Sequence, residues 1–381
     1  MAVSSPSASF HPPEWSPHFW QGCDFLAWAR LLVRNRCAVD LPHAHVAFII
    51  TFVSLFHSAL RVLQDAWLAG RADRVRPGCA PLFIIGHWRT GTTLLHELLI
   101  LDPRHTYPNT YKCLVPHHFL LSEPILTRIF GWLVPAHRPM DNMSAGWDRP
   151  QEDEFALCML GQPSPYLTIA FPNHPPQDPE ALDLTNMSPV ALAAWKRAFI
   201  GFIARLTLND SRRPVLKSPT HSCRIPVLLE LFPEARFLHI VRDPYAVFPS
   251  TVNLWKTLYS SHGLQRPKFV GLEERVFSTF THLYERIEEG KRLIPPGHFH
   301  ELRYEDLIAD PLTEMRRAYD RLGLGDFDPV RPRVERYLEE HADYQTNRYK
   351  PLPGQLEAEI ARRWADVIRR YGYQRQRAVR A

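Results

Sequence analysis

Residues 82–95, Leu-Phe-Ile-Ile-Gly-His-Trp-Arg-Thr-Gly-Thr-Thr-Leu-Leu, run from an apolar strand through a glycine-bounded loop into a helix start. That order commits the chain to an α/β fold, with the loop as its anion holder. Gly86 and Gly91 let the backbone turn back on itself, so successive N–H groups and the positive end of the next helix face one anion. Thr92 and Thr93 are expected to cap that helix, and Leu94, Leu95, Leu98 and Leu99 recur at helical spacing behind them. The spacing nearly matches the triphosphatase loop G-x-x-x-x-G-K-[ST], but Thr92 stands at the lysine position. Its basic residue, Arg89, lies inside the loop instead, which suits a smaller and less charged transferable group.

At 381 residues the chain is long enough for one large α/β domain with additions. A formal net charge of +5 suits anionic ligands, and with no dense Lys/Arg block no nucleic-acid partner is expected. The 6 cysteines are scattered without a C-x-x-C pair, so a reducing compartment is expected and no metal site is read. Residues 1–18 lack the charged start, apolar core and cleavage site of a secretory signal. The expected location is the cytoplasm. Val46–Phe56 is apolar but short of the roughly 20 residues that span a bilayer, so a buried or membrane-surface helix is expected there. Peripheral membrane contact through 46–56 stays open at this point.

Residues 14–70 read as a helical lead-in. After the first βα unit, 103–190 is rich in Pro, His and aromatics, with a helical piece at 118–134 and a strand at Tyr166–Phe171. Irregular anchored segments of this kind form substrate walls, and Tyr107, His117, Trp132 and Trp147 are candidates for stacking on an acceptor. Alternation then resumes: a strand ending at Lys217, a helix over 220–232, a buried strand 236–242 and a helix over 244–258. Further on come a helix over 272–292, a strand 298–304, a helix over 305–322 and a last helix over 355–371. In an open parallel sheet ligands gather beyond the carboxyl ends of the strands. Arg89, Lys217, Arg242 and Tyr304 each follow a strand and so converge on one cleft.

Arg242-Asp-Pro-Tyr-Ala-Val-Phe-Pro-Ser250 forms a second anion site, with Asp243 as N-cap, Pro244 at the first helical position and the Ser250 hydroxyl on the arginine's face. A bidentate arginine with a hydroxyl suits a phosphate monoester. Two separated phosphate sites on one sheet fit a nucleoside phosphorylated at both ends.

With these motifs the chain resembles the sulfotransferases that use 3′-phosphoadenosine 5′-phosphosulfate, particularly bacterial members with a Gly-His-Trp-Arg-[Ser/Thr]-Gly-Thr-Thr loop. The resemblance covers residues 80–373. It implies that Arg89, Thr90, Gly91, Thr92 and Thr93 grip the 5′-phosphosulfate, that Arg242 and Ser250 hold the 3′-phosphate, and that Tyr304, in Tyr-Glu-Asp-Leu, lies near the adenine. It departs from the cytosolic animal enzymes at Leu94, where they carry an adenine-stacking tryptophan, and in lacking their C-terminal Arg-Lys-Gly loop. Arg348 and Lys350, in Asn-Arg-Tyr-Lys, are open to two readings, a replacement for that loop or a solvated surface, and are not counted among the site residues. The expected fold is α/β, a P-loop NTPase-like three-layer fold with a central parallel sheet. Residues 1–79 form a helical N-terminal extension, 80–373 the sulfotransferase domain with an irregular, helical insert at 103–195, and 374–381 a basic tail.

Sulfuryl transfer needs an in-line geometry and fixed cations where charge builds on the leaving phosphate oxygen. Arg89 and the loop amides stand on that side, and Lys217 matches the family lysine near the bridging oxygen. The acceptor, a hydroxyl or amine on a carbohydrate, lipid or small metabolite, must also lose a proton. Glu152, Asp153 and Glu154 compete with His221 for this role, and the family uses both residue types. Glu152 is the first choice, with His221 as base or orienter. A nucleotide kinase and a catalytically silent nucleotide-binding protein are the alternatives.

Overall fold

A computed structural model describes residues 18–71, 78–129, 146–342 and 351–375. The expected positions Trp132, Arg348 and Lys350, and the tail from 376 on, lie outside them. Helices α1 (Phe25–Arg34) and α2 (Ala44–Leu68) lead in. Strand β1 (Leu82–Ile85) and helix α3 (Thr92–Leu99) follow, then β2 (His105–Thr106) and the insert helices α4 (Thr110–Leu114), α5 (Phe119–Ile129) and α6 (Asp153–Met159). The α/β alternation resumes with α7 (Pro189–Leu206), β3 (Arg213–Lys217), α8 (Ile225–Leu231), β4 (Arg236–Val241), α9 (Pro244–His262), α10 (Leu272–Lys291) and β5 (Phe299–Arg303). The chain closes through α11 (Tyr304–Ala309), α12 (Pro311–Leu322), α13 (Arg331–Glu340), α14 (Gly354–Arg363) and α15 (Ala365–Arg370).

The strands form one parallel sheet in the order β2-β3-β1-β4-β5. β1 is buried at every position, as the uninterrupted apolar run Leu82–Ile85 requires of a central strand covered on both faces. On one face Leu82, Ile84 and Leu238 meet α3, α12 and α13 through Leu95, Leu98, Met315 and Val334. On the other, Phe83, Ile85 and Leu216 meet α7 and α8 through Trp195, Phe199 and Leu228. A third, aromatic-rich core joins the N-terminal helices to α9, α10 and α14.

Several elements differ from the sequence expectation. Tyr166–Phe171 is not a strand: the Ser164 hydroxyl accepts from the Tyr166 N–H, Pro165 presets the turn, and Pro165–Ile169 winds as a 3₁₀ helix. The expected 220–232 helix divides into a 3₁₀ turn, Pro219–Cys223, and α8, where Pro226 sits in the first turn. Likewise 305–322 breaks at Asp310, which caps α12 ahead of Pro311, and the last helix breaks at Trp364. The two-residue edge strand β2 carries too little pattern to be read. Helix α2 is far longer than the apolar stretch 46–56, and the segment Leu41–Leu68 is long and apolar enough to cross a membrane by length and composition.

Candidate active site

The anion loop leaves β1 under tight constraints. A Cβ on Gly86 would lie 2.6 Å from the Ile240 carbonyl oxygen, and one on Gly91 would lie 2.4 Å from the Tyr304 ring. Both positions therefore require glycine, and Gly91 has φ +100°. Arg89 itself adopts φ +71°. The loop is pinned from below, where the Gly86 N–H donates to Ser222 Oγ at 2.8 Å, and from within, where Thr90 Oγ1 donates to the His87 carbonyl at 2.7 Å. Burial lowers the His87 pKa to about 4, so the imidazole beneath the loop stays neutral. Thr92 and Thr93 open α3 rather than cap it; Gly91 is the N-cap, so the first N–H groups of α3 have no capping side chain.

The two expected anion sites adjoin. Arg89 Nε donates to Ser250 Oγ at 2.9 Å, and Arg242 Nη1 donates to the Arg89 carbonyl at 3.1 Å. The Arg242 guanidinium stacks over Tyr304 at 4.2 Å from the ring centroid, and Tyr304 in turn covers Gly91. Asp243 caps α9 by accepting from the Tyr245 N–H, which fixes the turn that presents Arg242. Thus β1, β4, α9 and α11 deliver Arg89, Arg242, Ser250 and Tyr304 to one place.

Beside them the acidic triplet at the start of α6 faces the segment 217–224, and each carboxylate takes a different basic partner. Glu152 Oε1 accepts from Lys217 Nζ at 2.8 Å, Asp153 Oδ2 lies 2.7 Å from His221 Nε2, and Glu154 receives the Arg224 guanidinium. The rungs differ in burial. Asp153, His221, Glu154 and Arg224 are entirely enclosed, whereas the Glu152 side chain is 13% exposed. Glu154 is further saturated by Ser164 Oγ at 2.6 Å and Thr220 Oγ1 at 2.9 Å, so this carboxylate is a structural tie. His221 lies behind the site, wedged against Phe83 and Phe199.

Two participants escaped the sequence reading. The Tyr166 hydroxyl donates to Glu152 Oε2 and accepts from Trp88 Nε1 at 2.8 Å, which links the loop to the carboxylate. Burial, and the Glu152 carboxylate beside it, hold this phenol protonated well above its ordinary range, so it remains a donor. Fully buried His96 is kept neutral by burial and by the neighbouring Lys217 charge. The sequence signals for both are weak: Tyr166 sits in a run of β-propensity, and His96 lies inside the helix that follows the loop. Of the stacking candidates, His117 is a core residue, 2.9 Å from the Met159 carbonyl, and Trp147 packs edge-on to Tyr111.

A family model described as "Sulfotransferase family" matches residues 81–329. The chain is 51% identical over 362 residues to the omega-hydroxy-beta-dihydromenaquinone-9 sulfotransferase Stf3 of Mycobacterium bovis, covering 95% of this chain and 93% of that protein. The protein of the same name from Mycobacterium tuberculosis matches equally. Among solved structures, sulfotransferase STF9 from Mycobacterium avium superposes with a TM-score of 0.64 at 20% identity, over 92% of this chain and 96% of that one. STF1 from Mycobacterium tuberculosis H37Rv gives 0.61 at 19% identity, over 90% and 91%. These two likenesses show the P-loop-like fold.

Proposed function

The chain belongs to the sulfotransferase family, and from that premise we propose that it carries a sulfuryl group from 3′-phosphoadenosine 5′-phosphosulfate to the hydroxyl of a hydroxylated menaquinone. The acceptor class is taken from the relative at 51% identity. The observation that carries the chemistry is the Lys217–Glu152 pair, 2.8 Å apart at the tip of β3, on the strand next to the one that feeds the anion loop.

The loop amides of residues 90–93 and Arg89 would take the 5′ end of the donor, and Arg242 with Ser250 the 3′-phosphate. The direct Arg89–Ser250 bond supports one continuous cradle for a doubly phosphorylated nucleotide. In the reaction the acceptor oxygen attacks sulfur in line. Its new S–O bond forms as the bond to the bridging oxygen breaks, and the electron pair stays with the departing phosphate. Lys217 has three N–H donors, one of them on Glu152 and the others available to the bridging oxygen. Glu152 takes the acceptor proton, because it alone of the triplet retains exposure, and Tyr166 positions it. His221 acts through Asp153 as a positioning residue.

Incubation with sulfur-labelled donor and a hydroxylated menaquinone tests the reading. Labelled lipid and adenosine 3′,5′-bisphosphate are the expected products. Arg242→Ala should weaken binding of that bisphosphate about 10- to 100-fold more than binding of adenosine 5′-phosphate, the range of a hydrogen bond to a charged group. Equal losses in calorimetry would contradict the 3′-phosphate contact.

A further inference from the structure

Helix α2 has two unlike sides. Val46, Ile50, Ser54, His57, Gln64 and Leu68 are buried against the domain. On the other side Phe48, Ile49, Phe52, Leu55, Phe56, Val62, Leu63 and Trp67 are each between 45% and 67% exposed. No Asp, Glu, Lys or Arg occurs from Ala44 to Leu60, so the exposed stripe is uninterrupted for most of a helix about 37 Å long. Soluble monomers rarely leave so large an apolar patch in water. Its neighbours extend it, with Leu26 and Val33 exposed on α1 and Ile125 and Ile129 on α5.

The helix is fixed lengthwise to the domain. His57 Nδ1 lies 2.6 Å from His118 Nε2, Gln64 Nε2 donates to the His117 carbonyl at 2.8 Å, and Trp28 Nε1 donates to Thr51 Oγ1 at 2.9 Å. Crossing a bilayer would strip these partners from polar groups and leave them in hydrocarbon. The stripe is therefore suited to lying along a surface.

Charge decides between a lipid surface and a second copy of the chain. Residues 18–71 carry Arg30, Arg34, Arg36, Arg61 and Arg71 against Asp24, Asp40 and Asp65. All three carboxylates are engaged: Asp24 by Arg61, Asp40 by the Arg266 N–H, and Asp65 by Arg205. Arg30, Arg36 and Arg71 are exposed and have no ion-pair partner among the described residues. A second copy would bring the same excess of arginine to the contact, whereas anionic head groups supply the missing counter-charge.

We propose that the exposed stripe of α2, together with exposed Arg30 on α1, Arg36 just after it and Arg71 just past the end of α2, docks the enzyme on the surface of an anionic lipid bilayer. The N-terminal module also packs on α6 beside the site: Cys23 Sγ lies 3.6 Å from Met159 Sδ of α6, and Phe19 meets Phe155 edge-on, with Phe155 in turn against Tyr166. Docking thus holds α6, with Glu152 at its start, close to a lipid-borne acceptor. This last step rests on the menaquinone reading, while the docking itself does not.

Flotation of the full chain with phosphatidylglycerol/phosphatidylethanolamine vesicles and with phosphatidylcholine vesicles tests the surface. Strong binding to the anionic vesicles is expected, with loss of binding in Phe48→Ser/Phe52→Ser/Phe56→Ser and about thirtyfold weaker binding in Arg30→Ala/Arg36→Ala. Adenosine 3′,5′-bisphosphate binding verifies that each variant is folded. Protein that stays in the aqueous layer with both vesicle types overturns the proposal. So does a wild-type dimer in sedimentation that the triple-serine variant converts to monomer. Transfer to a vesicle-embedded acceptor should fall in the triple-serine variant, while transfer to a short, water-soluble analogue persists. Flotation without transfer to either acceptor would refute the menaquinone reading and leave the docking surface standing.

Discussion

Helix α6 meets the rest of the molecule at two ends that handle buried polarity in opposite ways. Its N-terminal end is built of acid–base pairs, with three consecutive acidic side chains matched to Lys217, His221 and Arg224. Its C-terminal end abuts neutral histidines: His117 touches the Met159 carbonyl, next to the stacked pair His57 and His118. Desolvation lowers the pKa of His57 to about 3 and of His117 and His118 to about 4. Ionised groups are stable inside a protein only when paired, so the charged end has to be complete, whereas the neutral end needs only exclusion of protons. One end is suited to chemistry and the other to assembly.

The sharpest test of that division is at the rung that reaches the cleft. Glu152→Gln keeps a carbonyl oxygen for Lys217 but cannot take a proton, so kcat should fall by about 10²–10⁴-fold while the fold persists. Steady-state transfer with labelled donor, beside thermal melting, separates the two. Unchanged kcat would move the base elsewhere. At the next-but-one rung, Glu154 with Arg224, the substitution Arg224→Met should act in the reverse sense. It strands Glu154 in the interior, for a loss of about 3–5 kcal/mol in urea unfolding, with little change in kcat for the molecules that remain folded. A large kcat defect without loss of stability would erase the distinction between the rungs.

This contrast marks where the sequence stops being legible. The strand, loop and helix order around Gly86 and Gly91 is written in local residue types, and so is the junction at Asp243–Pro244, because glycine, proline and cap signals act within a few residues. The placing of Arg89, Lys217, Arg242 and Tyr304 after successive parallel strands follows from them, whereas the edge strand β2, two residues long, does not. Which of Glu152, Asp153 and Glu154 faces the cleft was not legible, since it depends on how α6 is set against 217–224 by contacts more than 60 residues apart. The run Tyr166–Phe171 reads as a strand by β-propensity, but Ser164 and Pro165 at its start override that preference and wind Pro165–Ile169 into a 3₁₀ helix. The length of α2 escaped for a related reason. His57 and Gln64 look like breaks in an apolar run until His118 and the His117 carbonyl are beside them.

A smaller effect sharpens the charged end further. Tyr166→Phe removes the donor to Glu152 Oε2 but leaves the ring against Phe155 and Trp255. A hydrogen bond to a charged group is worth about 1.5–3 kcal/mol, so kcat should drop by about 10- to 100-fold. The acidic limb of the pH–rate profile should shift as well, with the donor KM nearly unchanged. A purely packing role for Tyr166 would instead lower stability and leave that limb in place.

The neutral end makes the smallest prediction, and its sign is opposite to that of an ion pair. His57, His117 and His118 each have a folded-state pKa below the unfolded value of 6.5, so the unfolded chain binds more protons as the pH falls. The stability of the neutral imidazoles is therefore fully present above about pH 6.5 and is lost progressively from there towards pH 4. For one such histidine the loss is about 1–2 kcal/mol at pH 5. Melting temperature measured from pH 8 to pH 5 should decline below pH 6.5. His57→Gln should flatten the decline, because it deletes one proton-binding site while keeping a polar group opposite His118. If the variant declines as steeply as the wild type, acid is acting on the carboxylates at the other end of α6, and the buried histidines do not set the acid limit of stability.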